Sequence, residues 1–312
     1  VTLAASGAAS TGDLVWIDRL DDPRIADYRH LKDARTRAAY EQSEAIFVVE
    51  GRLAVRELLA SCFPVRSLLV DDHQLYSAAD VVDGVRARGA TVYVATRQTL
   101  AGVVGFDLHR GVVAVARRRA TTDGLSLVDG VLDGDARSER ALFALLEGLN
   151  DHENLGALFR NAAAFGVAAV LLDPTCADPL YRRCVRVSLG HVLGVPFGSL
   201  SPWPDALAAL RSRGVQIVAL TPRAVDGRAR SIEISDLAAR PDDGPLALLL
   251  GAEGPGLSPA ALDAADQIVT IAMPGGIDSL NVATAAAIAF HALAGTAYRS
   301  TPSSDPLKAL GS

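Results

Sequence analysis

The chain has 312 residues, half of them apolar and 21% charged, with a formal net charge of −6; this is ordinary globular composition with room for two domains of about 150 residues each. The acidic balance excludes a protein coated in positive charge, so any nucleic-acid binding must rest on where individual cations sit. Three cysteines (Cys62, Cys176 and Cys184) with no CxxC pair argue against a disulfide framework or a zinc site.

The first 13 residues lack the basic start and apolar core of a signal peptide and read as a flexible tail, as do residues 300–312. No run approaches the roughly 18 apolar residues that span a membrane, so a cytoplasmic protein is expected. Residues 14–117 read as a small α/β unit. A charged helix is expected over Asp21–Glu44, with Pro23 tolerated near its start. Short apolar runs at Ile46–Val49, Val65–Val70, Thr91–Ala95 and Gly111–Ala116 read as strands, separated by helical patterns at Leu53–Ala60 and Ala78–Arg88. Residues 118–140 are polar and Gly-rich, a linker with space for one short strand.

The second unit, 141–299, carries apolar runs at Leu142–Leu146, Ala168–Leu172, Gln216–Leu220, Leu246–Leu250 and Ile268–Ile271. Helical patterns separate most of them, the signature of a mostly parallel, doubly wound sheet. In such sheets ligands bind beyond the carboxyl ends of the strands, and three stretches there carry polar groups. In LNDHENLGALFRNAAAFG, Asn154 falls at the helix start, as an N-cap or as a group facing a cleft. Arg160 follows within an alanine-rich stretch, and Gly166 suits the C-cap. In LLLGAEGPGLSPAAL, Gly251, Gly254 and Gly256 let backbone approach a ligand closely. Glu253 is the lone acid of that loop, and Ser258-Pro259 reads as an N-cap with proline at the first helical position. In IAMPGGIDSLNVATAAAIAF, Pro274 and the glycine pair demand a loop. Ser279 reads as the N-cap of the following helix, and Asn281 then lies in its first turn.

These three stretches, in this order, resemble the three motifs of the SpoU (TrmH-type) RNA methyltransferases of the SPOUT superfamily, over about residues 142–296. The front half, with FVVEGRLAVREL and HRGVVAVARR, is similar to the small RNA-binding domain that often precedes this catalytic domain. The resemblance implies an α/β sheet whose C-terminal part is threaded into a deep trefoil knot, an exception to the usual absence of knots. It implies S-adenosylmethionine as cofactor, a homodimer with the site near the subunit interface, and methyl transfer to a ribose 2′-hydroxyl of structured RNA. Ribosomal RNA is favoured over transfer RNA, and a non-catalytic RNA-binding assembly factor is the alternative from another class. Carried over by residue, the catalytic group is Asn154, Arg160, Glu253, Ser279 and Asn281, and the cofactor cradle includes Gly251, Ile271 and Leu280. Such a reaction requires no metal, because a sulfonium methyl is already activated. A Rossmann-type oxidoreductase is disfavoured because the glycines are spaced GxxGxG on a late strand. Arg182, Arg183 and Arg186, the run Arg117–Arg119, and more weakly Arg52 and Arg110, are candidate phosphate contacts.

Overall fold

A computed structural model describes residues 14–108, 111–134, 141–222, 231–240, 244–273 and 279–298. The two expected tails lie outside these residues. The chain divides into two compact units: residues 1–120 with 179–194, and residues 121–178 with 195–312.

The first unit contains β1 (Leu14–Ile17), α1 (Ala34–Ser43), β2 (Ile46–Glu50), α2 (Arg52–Ala60), β3 (Val65–Asp71), α3 (Ala79–Ala87), β4 (Thr91–Ala95), α4 (Arg97–Val104) and β5 (Val112–Arg117). Its strands form one sheet in the order β1-β4-β3-β5-β2. β2 and β5 run antiparallel, and β3 pairs with β4 in parallel and with β5 antiparallel. Ile46, Val48, Leu69, Val113 and Val115 form its core with Ile25, Tyr28 and Leu100 from the covering helices.

The continuous helix expected over Asp21–Glu44 is two pieces. A short 3₁₀ helix, Pro23–Tyr28, starts on the Asp22 carboxylate, which accepts from Arg24 N. The chain then leaves helical geometry at Arg29 (φ −83°, ψ 163°) and turns left-handed at His30 (φ 58°). Asp33 restarts the helix, its carboxylate accepting from Thr36 N at 3.1 Å and Thr36 Oγ1 at 2.6 Å. An aspartate three residues before a threonine offers the backbone this alternative to helix continuation.

The second unit opens with α5 (Gly124–Leu132), capped by Asp123. This helix occupies the stretch read as a linker; the alternation of Leu125, Leu127, Val128 and Val131 packs it against the core of this unit. There follow β6 (Leu142–Glu147), α6 (His152–Phe165) and β7 (Ala169–Leu172). After α7 (Arg182–Val187) come β8 (Phe197–Ser199), α8 (Ala206–Ser212), β9 (Gln216–Leu220), β10 (Ile232–Glu233), α9 (Ile234–Ala238), β11 (Leu246–Gly251), α10 (Pro259–Ala264), β12 (Gln267–Thr270) and α11 (Val282–Tyr298). The α7 segment belongs to the first unit, where Arg182 pairs with Glu50 at the end of β2.

The sheet of the second unit runs β10-β12-β9-β11-β6-β7-β8 with every pairing parallel. Parallel strands buried on both faces read as continuous apolar runs; Phe143, Ala144, Leu145 and Leu146 of β6 are fully buried, as are Leu248 and Leu249 of β11. β6 and β11 are central neighbours and end together, Gly251 opposite Glu147. The two loops that follow them therefore leave the sheet side by side. α11 packs on α6: Asn161 Nδ2 donates to Ala283 O at 2.9 Å, and the rings of Phe165 and His291 lie 5.6 Å apart. Ala286, Ala289 and Phe290 are fully buried, so the alanine content of this helix reflects the close packing that small side chains permit.

Candidate active site

The two loops that follow β6 and β11 meet the start of α11 above the carboxyl ends of these strands. The first leaves β6 through Gly148, whose φ of 68° is left-handed. Asp151 caps α6, its Oδ1 accepting from Glu153 N at 2.9 Å and Asn154 N at 2.8 Å. Asn154 is therefore the third residue of the helix and not its cap, and its side chain is released from capping.

The second loop leaves β11 at Gly251. A Cβ there would come within 2.4 Å of Gly256 C and 2.5 Å of Leu257 N, so only glycine lets residues 252–257 fold back against the strand end. Gly256 N donates to Ala252 O at 3.0 Å to close the turn, with Gly254 at φ 90° and Gly256 at φ 69°. The buried Glu147 carboxylate fixes the turn's far end. Its Oε1 accepts from Ser258 Oγ at 2.7 Å and Trp203 Nε1 at 2.7 Å, and its Oε2 accepts from Ser258 N at 2.8 Å. Ser258 Oγ in turn accepts from Ala261 N at 3.2 Å, capping α10 with Pro259 in its first turn as the sequence suggests. Glu147→Gln is expected to lower stability by about 1–3 kcal/mol, the scale of hydrogen bonds to a buried charged group, measured by urea unfolding.

The third segment brings in α11; of the loop expected over Met273–Asp278, residues 274–278 lie outside the described residues. Its N-cap is Asn281, not Ser279: Asn281 Oδ1 accepts from Ala283 N at 3.0 Å and Thr284 N at 3.2 Å. This leaves the amide nitrogen with two hydrogens, and both are used. Nδ2 donates to Asn154 Oδ1 at 2.7 Å and to Glu253 Oε1 at 2.7 Å. Asparagine alone among good capping residues supplies the acceptor for the cap and two donors together. Glu253 Oε1 also accepts weakly from Val282 N at 3.4 Å, placing the carboxylate at the positive end of a long helix. Segments 127 and 28 residues apart thus converge on one amide. Glu253 and Asn281 are exposed and Asn154 is half-buried, so the trio lines an open surface.

The remaining sequence candidates are placed differently. Arg160 lies six residues beyond Asn154, about 240° around the axis of α6, and makes no hydrogen bond to the trio. It is exposed and has no hydrogen bond or ion pair among the described residues. Ser279 is exposed two residues before the cap, with no hydrogen bond to the trio. Ile271, just past β12, and Leu280 are half-buried. Arg52 pairs with Asp80 at 2.8 Å. Arg182 and Arg186 share Glu50 at 3.4 and 3.8 Å, and Arg182 also stacks 5.0 Å above the Phe106 ring. Arg183 is exposed, and Arg110 lies outside the described residues.

Glu147 and Asp151 are the supports that sequence reasoning missed. Both carry a signal: a carboxylate closing an apolar strand run, and an aspartate just ahead of the first periodic apolar residue, Leu155. A third support is Asp173, whose Oδ1 accepts from Gly148 N and Thr175 N at 3.1 Å each. Beside it Cys176 Sγ accepts from Leu149 N and donates to Leu146 O, both at 3.3 Å. Burial, and then the Asp173 carboxylate, push this thiol up to about 12. Only the thiolate is nucleophilic, so native iodoacetamide labelling at pH 8 is expected at exposed Cys62 and not at Cys176, read by peptide mass spectrometry. Labelling of Cys176 at a comparable rate would contradict this environment.

A parallel α/β unit with a polar cluster at the carboxyl ends of its strands is the architecture of a ligand-binding or catalytic domain. Residues 141–291 match the SpoU rRNA Methylase family, and residues 48–121 match the RNA 2'-O ribose methyltransferase substrate binding family. An uncharacterised tRNA/rRNA methyltransferase of Mycobacterium tuberculosis (strain CDC 1551 / Oshkosh), MT0904, is 44% identical over 271 residues, 87% of this chain and 88% of that protein. The 23S rRNA (guanosine-2'-O-)-methyltransferase RlmB of Ralstonia nicotianae is 32% identical over 209 residues, 67% of this chain and 78% of its own length. In fold the chain is similar to an AdoMet-bound rRNA methyltransferase from Sinorhizobium meliloti, with a TM-score of 0.72 at 24% identity over 91% of this chain and 99% of that one. The chain belongs to the SpoU rRNA methylase family and is a methyltransferase.

Proposed function

We propose that the protein transfers a methyl group from S-adenosylmethionine to a ribose 2′-hydroxyl of structured RNA, ribosomal RNA in preference to transfer RNA. The observation that carries this reading is the convergence of Asn154, Glu253 and Asn281 from three distant segments on a single amide. The family supplies the reaction class, and the RlmB relatives, named for 23S rRNA, support the choice of RNA.

The residues present suit the cofactor. The turn at 252–257 is closed by backbone, and built Cβ atoms at Gly254 and Gly256 meet nothing within 4 Å, so peptide edges face open space. Gly251, Ile271 and Leu280 would hold the adenosyl and methionyl parts there. When bound, S-adenosylmethionine supplies a methyl group on a sulfonium, already activated for in-line displacement. What remains for the protein is placement, which can contribute on the order of 7–11 kcal/mol.

Asn154 orients the ribose, and Asn281 holds Asn154 in place. Asn154 Nδ2 has no partner among the described residues and is a free donor toward a sugar oxygen. Glu253 keeps Oε2 unbonded among the described residues, an acceptor for the proton that the 2′-hydroxyl sheds, with solvent as its exit. Ser279 adds a hydroxyl beside the cap. Arg160 acts as a cation, because guanidinium is not deprotonated in proteins: it binds the adjacent phosphate and stabilises the developing alkoxide. Its lack of a hydrogen-bond or ion-pair partner among the described residues favours a homodimer in which it serves the neighbouring subunit's site. The tail of this unit is expected to thread as the trefoil knot of the family, and the enzyme to work in the cytoplasm.

Ribose-methylation mapping of ribosomal and transfer RNA, from cells with and without the gene, tests the reading. Loss of one 2′-O-methyl from ribosomal RNA is expected. Unchanged ribose methylation in both RNA classes would overturn it.

A further inference from the structure

We propose that the first unit carries a nucleotide subsite at the turn between its 3₁₀ helix and α1. There one nucleotide of the RNA substrate sets its phosphate against Arg29, His30 and Lys32, and its base against Leu20 and the glycine-bearing end of α4. The proposal rests on the RNA-methylating reading above and adds where this unit holds the RNA.

A cavity of about 350 Å³ is lined by Leu20, Arg29, His30, Lys32, Asp33 and the segment Gly102–Gly105, within the size range of ligand sites. One side is apolar and flat. Leu20 is 53% exposed and lies on α4 so closely that a Cβ at Gly102 would come within 2.7 Å of its Cδ2. Gly105, the left-handed C-cap of α4 at φ 85°, has nothing within 4 Å of a built Cβ. Val103 and Val104 turn inward, 5% and 0% exposed, so that the wall offers peptide planes and a leucine, a surface on which a base can lie.

The other side carries an excess of cations. Elsewhere in this unit arginines are matched by acids: Arg24 with Asp22, Arg52 and Arg56 with Asp80, Arg66 with Asp27, Arg97 with Asp107. Lys32 and Arg35 are exposed and have no ion pair or hydrogen bond from their side chains among the described residues. Arg29 donates through Nη2 to Asp22 O at 2.9 Å, while its Nε is buried without a partner. The one acid in the lining, Asp33, caps α1 through Thr36 N and Oγ1 and stays ionised, a single carboxylate among Arg29, Lys32 and Arg35. His30 holds a left-handed backbone at φ 58°, a conformation that costs a non-glycine residue about 1–2 kcal/mol and that aims its exposed ring from the tip of this turn. Cations gathered over seven residues, beside an apolar wall, match the two halves of a nucleotide.

The test is filter binding of transcribed 23S rRNA to the full-length protein across a salt series, with S-adenosylmethionine calorimetry confirming that each variant is intact. Removing the two exposed cations Lys32 and Arg35 together (K32A/R35A) is expected to flatten the slope of log K against log salt by about 0.7–0.9, the value for the one phosphate that the subsite holds. L20A is expected to weaken binding severalfold at every salt concentration without changing the slope. Wild-type slope in K32A/R35A, or wild-type affinity in L20A, overturns the subsite while leaving the methyltransferase reading intact. Failure of the wild-type protein to bind 23S rRNA or transfer RNA overturns both.

Discussion

Asn281→Asp is expected to cut the single-turnover rate of methyl transfer by about a hundredfold or more while leaving the folded protein nearly as stable as wild type. The two halves of the Asn281 amide serve different ends. Its oxygen caps α11 through Ala283 N and Thr284 N, and aspartate caps a helix as well as asparagine does. Its nitrogen joins Asn154 to Glu253 at 2.7 Å each. In the aspartate variant the nitrogen becomes an oxygen that faces the Glu253 carboxylate, so an attraction turns into a repulsion and the Glu253 loop moves away. Displacement of a positioning group by about 1 Å can cost on the order of 10²-fold. Asn281→Ala loses the cap as well, and about 1 kcal/mol of stability with it. Denaturant unfolding beside quench-flow methyl transfer separates the two effects. Full turnover in Asn281→Asp would show that the junction is only a helix cap.

Arg160→Ala is expected to lower kcat/KM by about 10²–10³, the loss seen when one preorganised donor to developing negative charge is removed, or about 2.7–4 kcal/mol of transition-state stabilisation. Its Tm should not move, because the exposed side chain has no hydrogen bond or ion pair among the described residues to lose. Arg160→Lys is expected to recover little of the rate. An ammonium supplies charge without the planar fork that grips a phosphate at two points. S-adenosylmethionine affinity, measured by calorimetry, should be the same in all three proteins. Near-full turnover in the lysine variant would contradict the emphasis on the guanidinium.

The parallel sheet and the polar loops after β6 and β11 were legible because each rests on local pattern. Strands buried on both faces leave unbroken apolar runs such as Leu142–Leu146, and loops at their ends must carry glycine or proline to turn. The identity of the α11 cap was not legible. Serine and asparagine are both good caps, and only the donors needed by Asn154 and Glu253, 127 and 28 residues away, decide between them. The break at His30 was hidden for a related reason: RHLKDARTR has the composition of a helix, and the Asp33 cap within it competes with propensity that looks continuous. α5 was missed because Gly124 and Gly130 dilute a helical pattern that its packing in the core of the second unit sustains. The grouping of residues 179–194 with the first unit depends on a pair, Arg182 with Glu50, separated by 132 residues, which no window along the chain can see.

Methyl transfer from tritiated S-adenosylmethionine to transcribed 23S rRNA, followed by alkaline hydrolysis, tests the central claim most directly. A methylated 2′-oxygen cannot attack the neighbouring phosphate, so the account predicts tritium in alkali-resistant dinucleotides, lost in Asn281→Asp and Arg160→Ala. Tritium found only in mononucleotides, as a methylated base would give, would contradict it.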